Sequence, residues 1–156
     1  MQLDFTIHGP LAEQSIHCAP IFAGLTDWFG LPEAVRDYLA EIDRLPTFVA
    51  CVEGRVIGFL SVKQHFPRAA ELYVMGVLPA YHRAGVGKAL LARAETYLRS
   101  LGAAMLQVKT LSASHPDPYY ARTRAFYQSA GFHELEELPA LWGPENPCLV
   151  MVKWLG

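Results

Sequence analysis

The sequence predicts an α/β fold: one mixed sheet of about seven strands with helices on both faces. Three observations carry the prediction. Residues 71–102, ELYVMGVLPAYHRAGVGKALLARAETYLRSLG, read as a strand, a glycine turn and a helix. Apolar and alternating runs recur between Gly and Pro breaks in the order β, two helices, ββ, β, α, β, α, β, β. The length of 156 residues, 52% apolar and 18% charged, suits one domain over 1–156 that buries a core without covalent staples.

Leu3, Phe5 and Ile7 alternate with polar residues as a first strand, ended by Gly9-Pro10. Residues 11–23 read as a helix shortened or kinked at Pro20. Residues 26–30 form a loop with Trp28 and Phe29. Pro32 suits a first helical turn, followed by Val35, Leu39 and Ile42 at helical spacing, and Pro46 closes that helix. Strands over 47–52 and 56–62 flank a hairpin turn at Glu53-Gly54-Arg55, and 64–69 read as a loop. In the stretch 71–102, Val86, Leu90, Ala94, Tyr97, Leu98 and Leu101 share one helix face. Arg93, Glu95 and Arg99 lie off it, and Gly102 is a stop at the position after the cap. A strand over 103–110, a Pro-punctuated loop, a helix over 119–130 stopped by Gly131, and strands over 132–138 and 148–154 complete the chain.

The net charge of −2 argues against a nucleic-acid protein, which carries a basic stripe. No basic segment precedes an apolar core at the start, and no apolar run is long enough to span a membrane, so a cytoplasmic location is expected. Cys18, Cys51 and Cys148 are scattered and odd in number, which suits reduced thiols. The six histidines have no metal-binding companions, so no metal is expected. Edge and C-terminal strands leave monomer and homodimer both open.

The glycine turn has a physical use. The first amides of a helix lack internal partners, and the helix dipole places positive charge there, so an anion binds well. Arg83 and Lys88 add charge. The turn is neither G-x-x-x-x-G-K-[ST] nor G-x-G-x-x-G. Residues His82-Arg83-Ala84-Gly85-Val86-Gly87 instead resemble the R/Q-x-x-G-x-G/A loop of the GNAT superfamily of N-acetyltransferases, with His82 standing where the family has Arg or Gln. Arg124–Phe132 (RAFYQSAGF) resembles the family's F-Y-x-x-x-G-F segment. The likeness covers nearly the whole chain and is strongest over 47–131. It implies the GNAT fold, a mixed and mostly antiparallel sheet, and acetyl-CoA as donor.

The resemblance implies residue roles. Residues His82 to Lys88 would hold the pyrophosphate of acetyl-CoA, and Met75, Gly76, Val77 and Phe126 would border its arm. Gly76 within a strand marks a bulge or a close backbone approach, and in the family a bulge here parts strands four and five. Tyr127 matches the tyrosine that protonates the departing thiolate. Phenol and thiol values of about 10 and 8.5 make that transfer near thermoneutral. Glu71 matches a strand glutamate that serves as general base, directly or through water. An alkyl amine is only about 0.04% neutral at pH 7, so a base is needed. The Met75 amide would stabilise the oxyanion, typically worth about 3–4 kcal/mol. Tyr120 stands where many members have Asn, and no contact is carried over. By family analogy the loops holding Trp28 and Phe29 and holding Trp142 would line the acceptor pocket; Tyr73, near Glu71, is a further candidate, and His65 would border the pocket.

These readings converge on an acetyl-CoA-dependent N-acetyltransferase acting on a primary amine of a small molecule or peptide by direct attack in a ternary complex. The alternatives are a non-catalytic acyl-CoA sensor, which would keep the glycine cradle without turnover, and an enzyme with a non-amine acceptor or a longer acyl donor.

Overall fold

A computed structural model describes residues 2–156. Its strands are β1 (Thr6–Leu11), β2 (Thr47–Val52), β3 (Arg55–Phe66), β4 (Ala69–Val77), β5 (Met105–Leu111), β6 (His133–Leu138) and β7 (Cys148–Trp154). Its helices are α1 (Ser15–Ala23), α2 (Pro32–Ile42), α3 (Val86–Ser100) and α4 (Pro118–Ser129). The seven strands form one sheet in the order β1-β2-β3-β4-β5-β7-β6. Only β4 and β5 pair in parallel; every other pair is antiparallel. A parallel neighbour requires a crossover, and α3 provides it. No helix among the described residues is long and apolar enough to cross a membrane.

The sheet separates two apolar layers. On one side Val86, Leu90, Leu91, Ala94 and Leu98 of α3 and Tyr127 of α4 pack on Phe48, Leu60, Leu72, Leu106, Val108 and Met151. On the other, Cys18, Ile21 and Phe22 of α1 and Ile42 of α2 pack on Val49, Phe59 and Val74. Neighbours such as Phe48 and Val49 go to opposite layers, as strand alternation demands. Each fully buried Phe, Leu or Ile contributes roughly 1.5–3 kcal/mol.

Local chemistry explains most boundaries. Glu53 and Gly54 take φ of 51° and 78°, the paired left-handed values of a two-residue hairpin turn. Asp117 caps α4 by accepting from the amides of Tyr119 and Tyr120 (2.8 and 3.2 Å). Gly102, at φ 90°, follows the last residues of α3.

Several boundaries differ from expectation. Strand β1 runs through Gly9-Pro10 to Leu11. It is an edge strand, where a missing proline N–H is tolerated. A Cβ on Gly9 would lie 2.8 Å from Phe48 Cδ1, so only glycine fits there. Helix α1 begins at Ser15 and holds Pro20 in its interior. The loop expected over 64–69 shrinks to a turn at Pro67-Arg68: β3 continues to Phe66 and β4 starts at Ala69. Leu101, just past the end of α3, is exposed, whereas Glu95 within it is buried between Arg99 and Lys153. Lys153 comes from β7, so no helical period could reveal this ion pair.

Candidate active site

The sheet opens in its middle. Strands β4 and β5 pair at Ala69–Met105, Ala70–Leu106, Glu71–Gln107 and Leu72–Val108, and no further. The parting begins at an irregularity in β4. Val62 pairs with Leu72 and Ser61 with Val74, leaving Tyr73 as the extra residue. Tyr73 and Val74 consequently both pack on the α1/α2 side. The bulge expected at Gly76 is therefore three residues earlier. Gly76 marks a close approach instead: a Cβ there would meet Leu25 Cδ1 at 2.8 Å and Phe59 Cε1 at 3.2 Å.

Beyond the bulge β4 keeps its pairing with β3. The Leu78 amide donates to the Ile57 carbonyl (2.9 Å). In an antiparallel ladder alternate residues bond alternate sides. Val74 and Gly76 thus face β3, while the amides of Met75 and Val77 turn toward the slot. The Val77 carbonyl faces the same way and accepts from His82 Nε2 (2.6 Å). Across the slot, on β5, Thr110 carries the only buried side-chain polar atom without a hydrogen-bond partner among the described residues.

At the end of β4 the chain enters the glycine turn. Gly85, at φ 84°, is the N-cap of α3, and Arg83 takes φ 61°. A left-handed non-glycine residue costs about 1 kcal/mol or more, so the turn is held in a specific shape. Glycine at 87 leaves room that a side chain would fill: its Cβ would lie 3.1 Å from Phe126 and 3.6 Å from Met75 Cε. Arg83 and Lys88 are exposed, Ala84 is half-buried and Val86 is core. The free amides at the start of α3, two cations and a glycine-lined floor fit a pyrophosphate, and the slot leading from them fits an extended arm with amide groups.

Glu71 is buried, yet its carboxylate has two cationic or protonatable neighbours. His65 Nε2 lies 2.7 Å from Oε1, and Lys109 Nζ lies 3.3 Å from Oε2. Tyr38 of α2 lies farther off, within electrostatic reach, its phenol raised by burial and then by the charge of Glu71. Tyr127 is buried between Phe126 and Phe132, each ring centroid 5.5 Å away. Burial raises its phenol above the ordinary tyrosine value, with smaller contributions from Tyr120 and Tyr38. Tyr38 therefore lies within electrostatic reach of both Glu71 and Tyr127.

The expected acceptor residues divide. Tyr73 packs edge-on against Tyr38 (5.6 Å), and Phe29 packs on Phe22 and Tyr38 (4.8 and 5.9 Å). Trp28 turns to α4, where its indole N–H reaches the Tyr119 carbonyl and Thr123 Oγ1, both at 3.2 Å. Its ring also meets His82 edge-on at 5.5 Å. The Tyr120 hydroxyl donates to the Trp28 carbonyl (2.6 Å), tying the α1–α2 loop to α4. Trp142 stands in the β6–β7 loop, 40% exposed. Tyr38, Lys109 and Thr110 were not singled out from the sequence. Tyr38 sits in an ordinary helical period, and the other two join the site only through strand pairing.

A parted parallel pair leading to a helix N-terminus, with an acid and a base candidate beside it, points to acyl transfer. A sequence model of the acetyltransferase (GNAT) family matches residues 17–132. The chain belongs to this family. Solved GNAT-fold structures resemble it over nearly its full length. A GNAT-family protein from Desulfovibrio desulfuricans has a TM-score of 0.84 at 19% identity, covering 98% of this chain and 100% of that one. The ribosomal-protein-S18-alanine N-acetyltransferase from Escherichia coli has a TM-score of 0.76 at 21% identity, covering 98% and 95%. An aminoglycoside 6′-N-acetyltransferase, crystallised with coenzyme A, has a TM-score of 0.75 at 18% identity, covering 97% of each. No curated protein matches the chain. As in any GNAT protein, the fold leaves the acceptor to be argued from the site.

Proposed function

We propose that this acetyltransferase moves an acetyl group from acetyl-CoA to a primary amine of a small molecule or peptide, with both reactants bound together. The observation that carries this reading is the slot: parted strands with free amides at Met75 and Val77, a glycine-turn helix N-terminus at one end, and Glu71 and Tyr127 beside it. Acetyl-CoA supplies the acetyl group already activated as a thioester.

The chain's residues then have distinct tasks. Amides of Gly85 to Lys88, with Arg83 and Lys88, hold phosphate oxygens. The Met75 amide faces a carbonyl oxygen on which charge develops, and a donor fixed in a strand needs no reorganisation. Glu71 removes a proton from the amine, whose neutral fraction at pH 7 is otherwise about 0.04%. Tyr127 holds the proton that the departing sulfur requires. Tyr73, Phe29 and Tyr38 form an apolar wall for the acceptor, with Trp28 and Trp142 toward its rim. Side-by-side binding removes translational freedom and supplies much of the acceleration. The E. coli and aminoglycoside relatives are both named for N-acetylation, which favours an amine over other acceptors.

Release of free thiol from acetyl-CoA, measured against polyamines, amino acids, aminoglycosides and short peptides, tests the proposal. Turnover with one class is the expected result. Tight binding of acetyl-CoA without release from any of them would favour a sensor. Absence of binding would show that the slot has been misread.

A further inference from the structure

Glu71 is enclosed, but one of its partners is not. The Glu71 side chain is 7% exposed and that of His65 is 34% exposed. Their contact is short, 2.7 Å from Nε2 to Oε1. Lys109 lies farther off, 3.4 Å from Oε1 and 3.3 Å from Oε2. An ammonium can balance a carboxylate's charge, but imidazole is the side chain suited to exchanging protons near neutral pH. The pairing arises from the strand ends: Lys63 pairs with Glu71, and a second irregularity between Gln64 and Phe66 makes His65 the extra residue of β3.

We propose that His65 is the proton exit of the acceptor site, carrying to solvent the proton that Glu71 takes from the acceptor ammonium. The idea rests on Glu71 acting as the base in the reaction proposed above. The ammonium loses a proton and keeps the electron pair for attack. Glu71 becomes the acid and passes the proton from Oε1 to Nε2 of a ring protonated on Nδ1. The resulting imidazolium releases its Nδ1 proton to water, and the restored carboxylate accepts from Nε2–H. Exchange with solvent resets the tautomer. No electrons move and water is the only co-reactant.

Other groups face the pair. Lys109 comes from β5, and Lys63 of β3 is held by Glu41 of α2 at 3.2 Å. Tyr38 comes from α2 and Cys148 from β7; the Cys148 thiol is pushed up to about 11, chiefly by burial. The Tyr73 phenol on β4 is pushed up to about 12, again chiefly by burial. Tyr73 and Cys148 therefore hold their protons across the range where imidazole exchanges them.

Two measurements on the intact protein test the inference. Nitrogen-15 NMR of the histidine side chains in the wild type and Glu71→Gln reads the pair directly. The His65 Nε2 resonance should move when its hydrogen-bonding carboxylate is lost; an unchanged resonance overturns the pairing whether or not an acceptor is known. Thiol-release kinetics across pH, with acetyl-CoA and the reactive amine of the panel, read the relay. His65→Gln should lower kcat about tenfold or more, change the acidic limb of the pH–rate profile, and recover in part with added imidazole. A wild-type kcat, or a loss with the acidic limb unchanged and no imidazole rescue, overturns the relay. If Glu71→Gln keeps wild-type turnover, the base assignment itself fails. If Glu71→Gln is slow and His65→Gln is normal, only the exit fails.

Discussion

The phenol of Tyr127, ringed by Phe126 and Phe132, is raised above the ordinary tyrosine value, which taken alone makes it a poorer acid. The same surroundings act on a thiol. Cys148, also buried, is pushed up to about 11 mainly by that burial. A thiolate forming beside Tyr127 would lose solvation in the same way and become a stronger base, so the match between donor and acceptor survives. Tyr127→Phe should lower kcat at least about tenfold while leaving coenzyme A affinity nearly unchanged. Steady-state kinetics beside calorimetry check this, and normal turnover would remove Tyr127 from the mechanism. The sequence already displayed this residue, because the segment around Tyr127 is contiguous. It did not display Lys109 and Tyr38 within electrostatic reach of Glu71, because they come from β5 and α2.

Between β4 and α3, the proposed function depends on backbone conformation. Glycine at 87 keeps Phe126 and Met75 close while leaving the first amides of α3 open. Gly87→Glu would add bulk against Phe126 and a negative charge at the proposed phosphate cradle. Coenzyme A binding by calorimetry should be lost, and retained affinity would mean that the turn does not hold phosphate. Helix α3 also has a structural clasp. Glu95 receives Arg99 at 3.2 Å and Lys153 at 2.8 Å, and Arg99 Nε donates to the Leu155 carbonyl at 2.9 Å. Removing the carboxylate leaves a cation largely enclosed. Glu95→Ala should cost on the order of 3 kcal/mol in urea unfolding, whereas Arg99→Ala, at a more exposed partner, should cost less than about 1 kcal/mol. Element order was legible because periodicity and Gly/Pro breaks act locally. The bulge at Tyr73, the extension of β3 to Phe66 and the burial of Glu95 depend on which strands meet, and local pattern carries no record of that.

Across the whole molecule, buried acids set the alkaline limit. Cys18 is pushed up to about 12 from 9.0, first by burial and then by the charge of Asp43. Cys148 and Tyr73 are raised to about 11 and about 12. Each is an acid with a higher value in the folded state, so the unfolded chain releases its proton first. Their contribution to stability is complete below about pH 9 and shrinks as pH rises toward about 12. Thermal melts across that window should show a falling midpoint, with a shallower fall in Cys18→Ala. A midpoint independent of pH above 9 would contradict the burial of these groups.

The parted strands leave two half-sheets, β1–β4 and β5–β7–β6, joined like book covers along a spine of four residue pairs. Backbone groups facing the gap have no strand of their own to satisfy them. A ligand threaded there, with amides spaced to meet Met75 and Val77, would act as the page that the binding was sewn to hold. It would complete the architecture as well as feed a reaction, so occupancy and folding would share one equilibrium. By mass action the melting temperature must climb with ligand concentration, and the protein reports its own loading before any acetyl group moves.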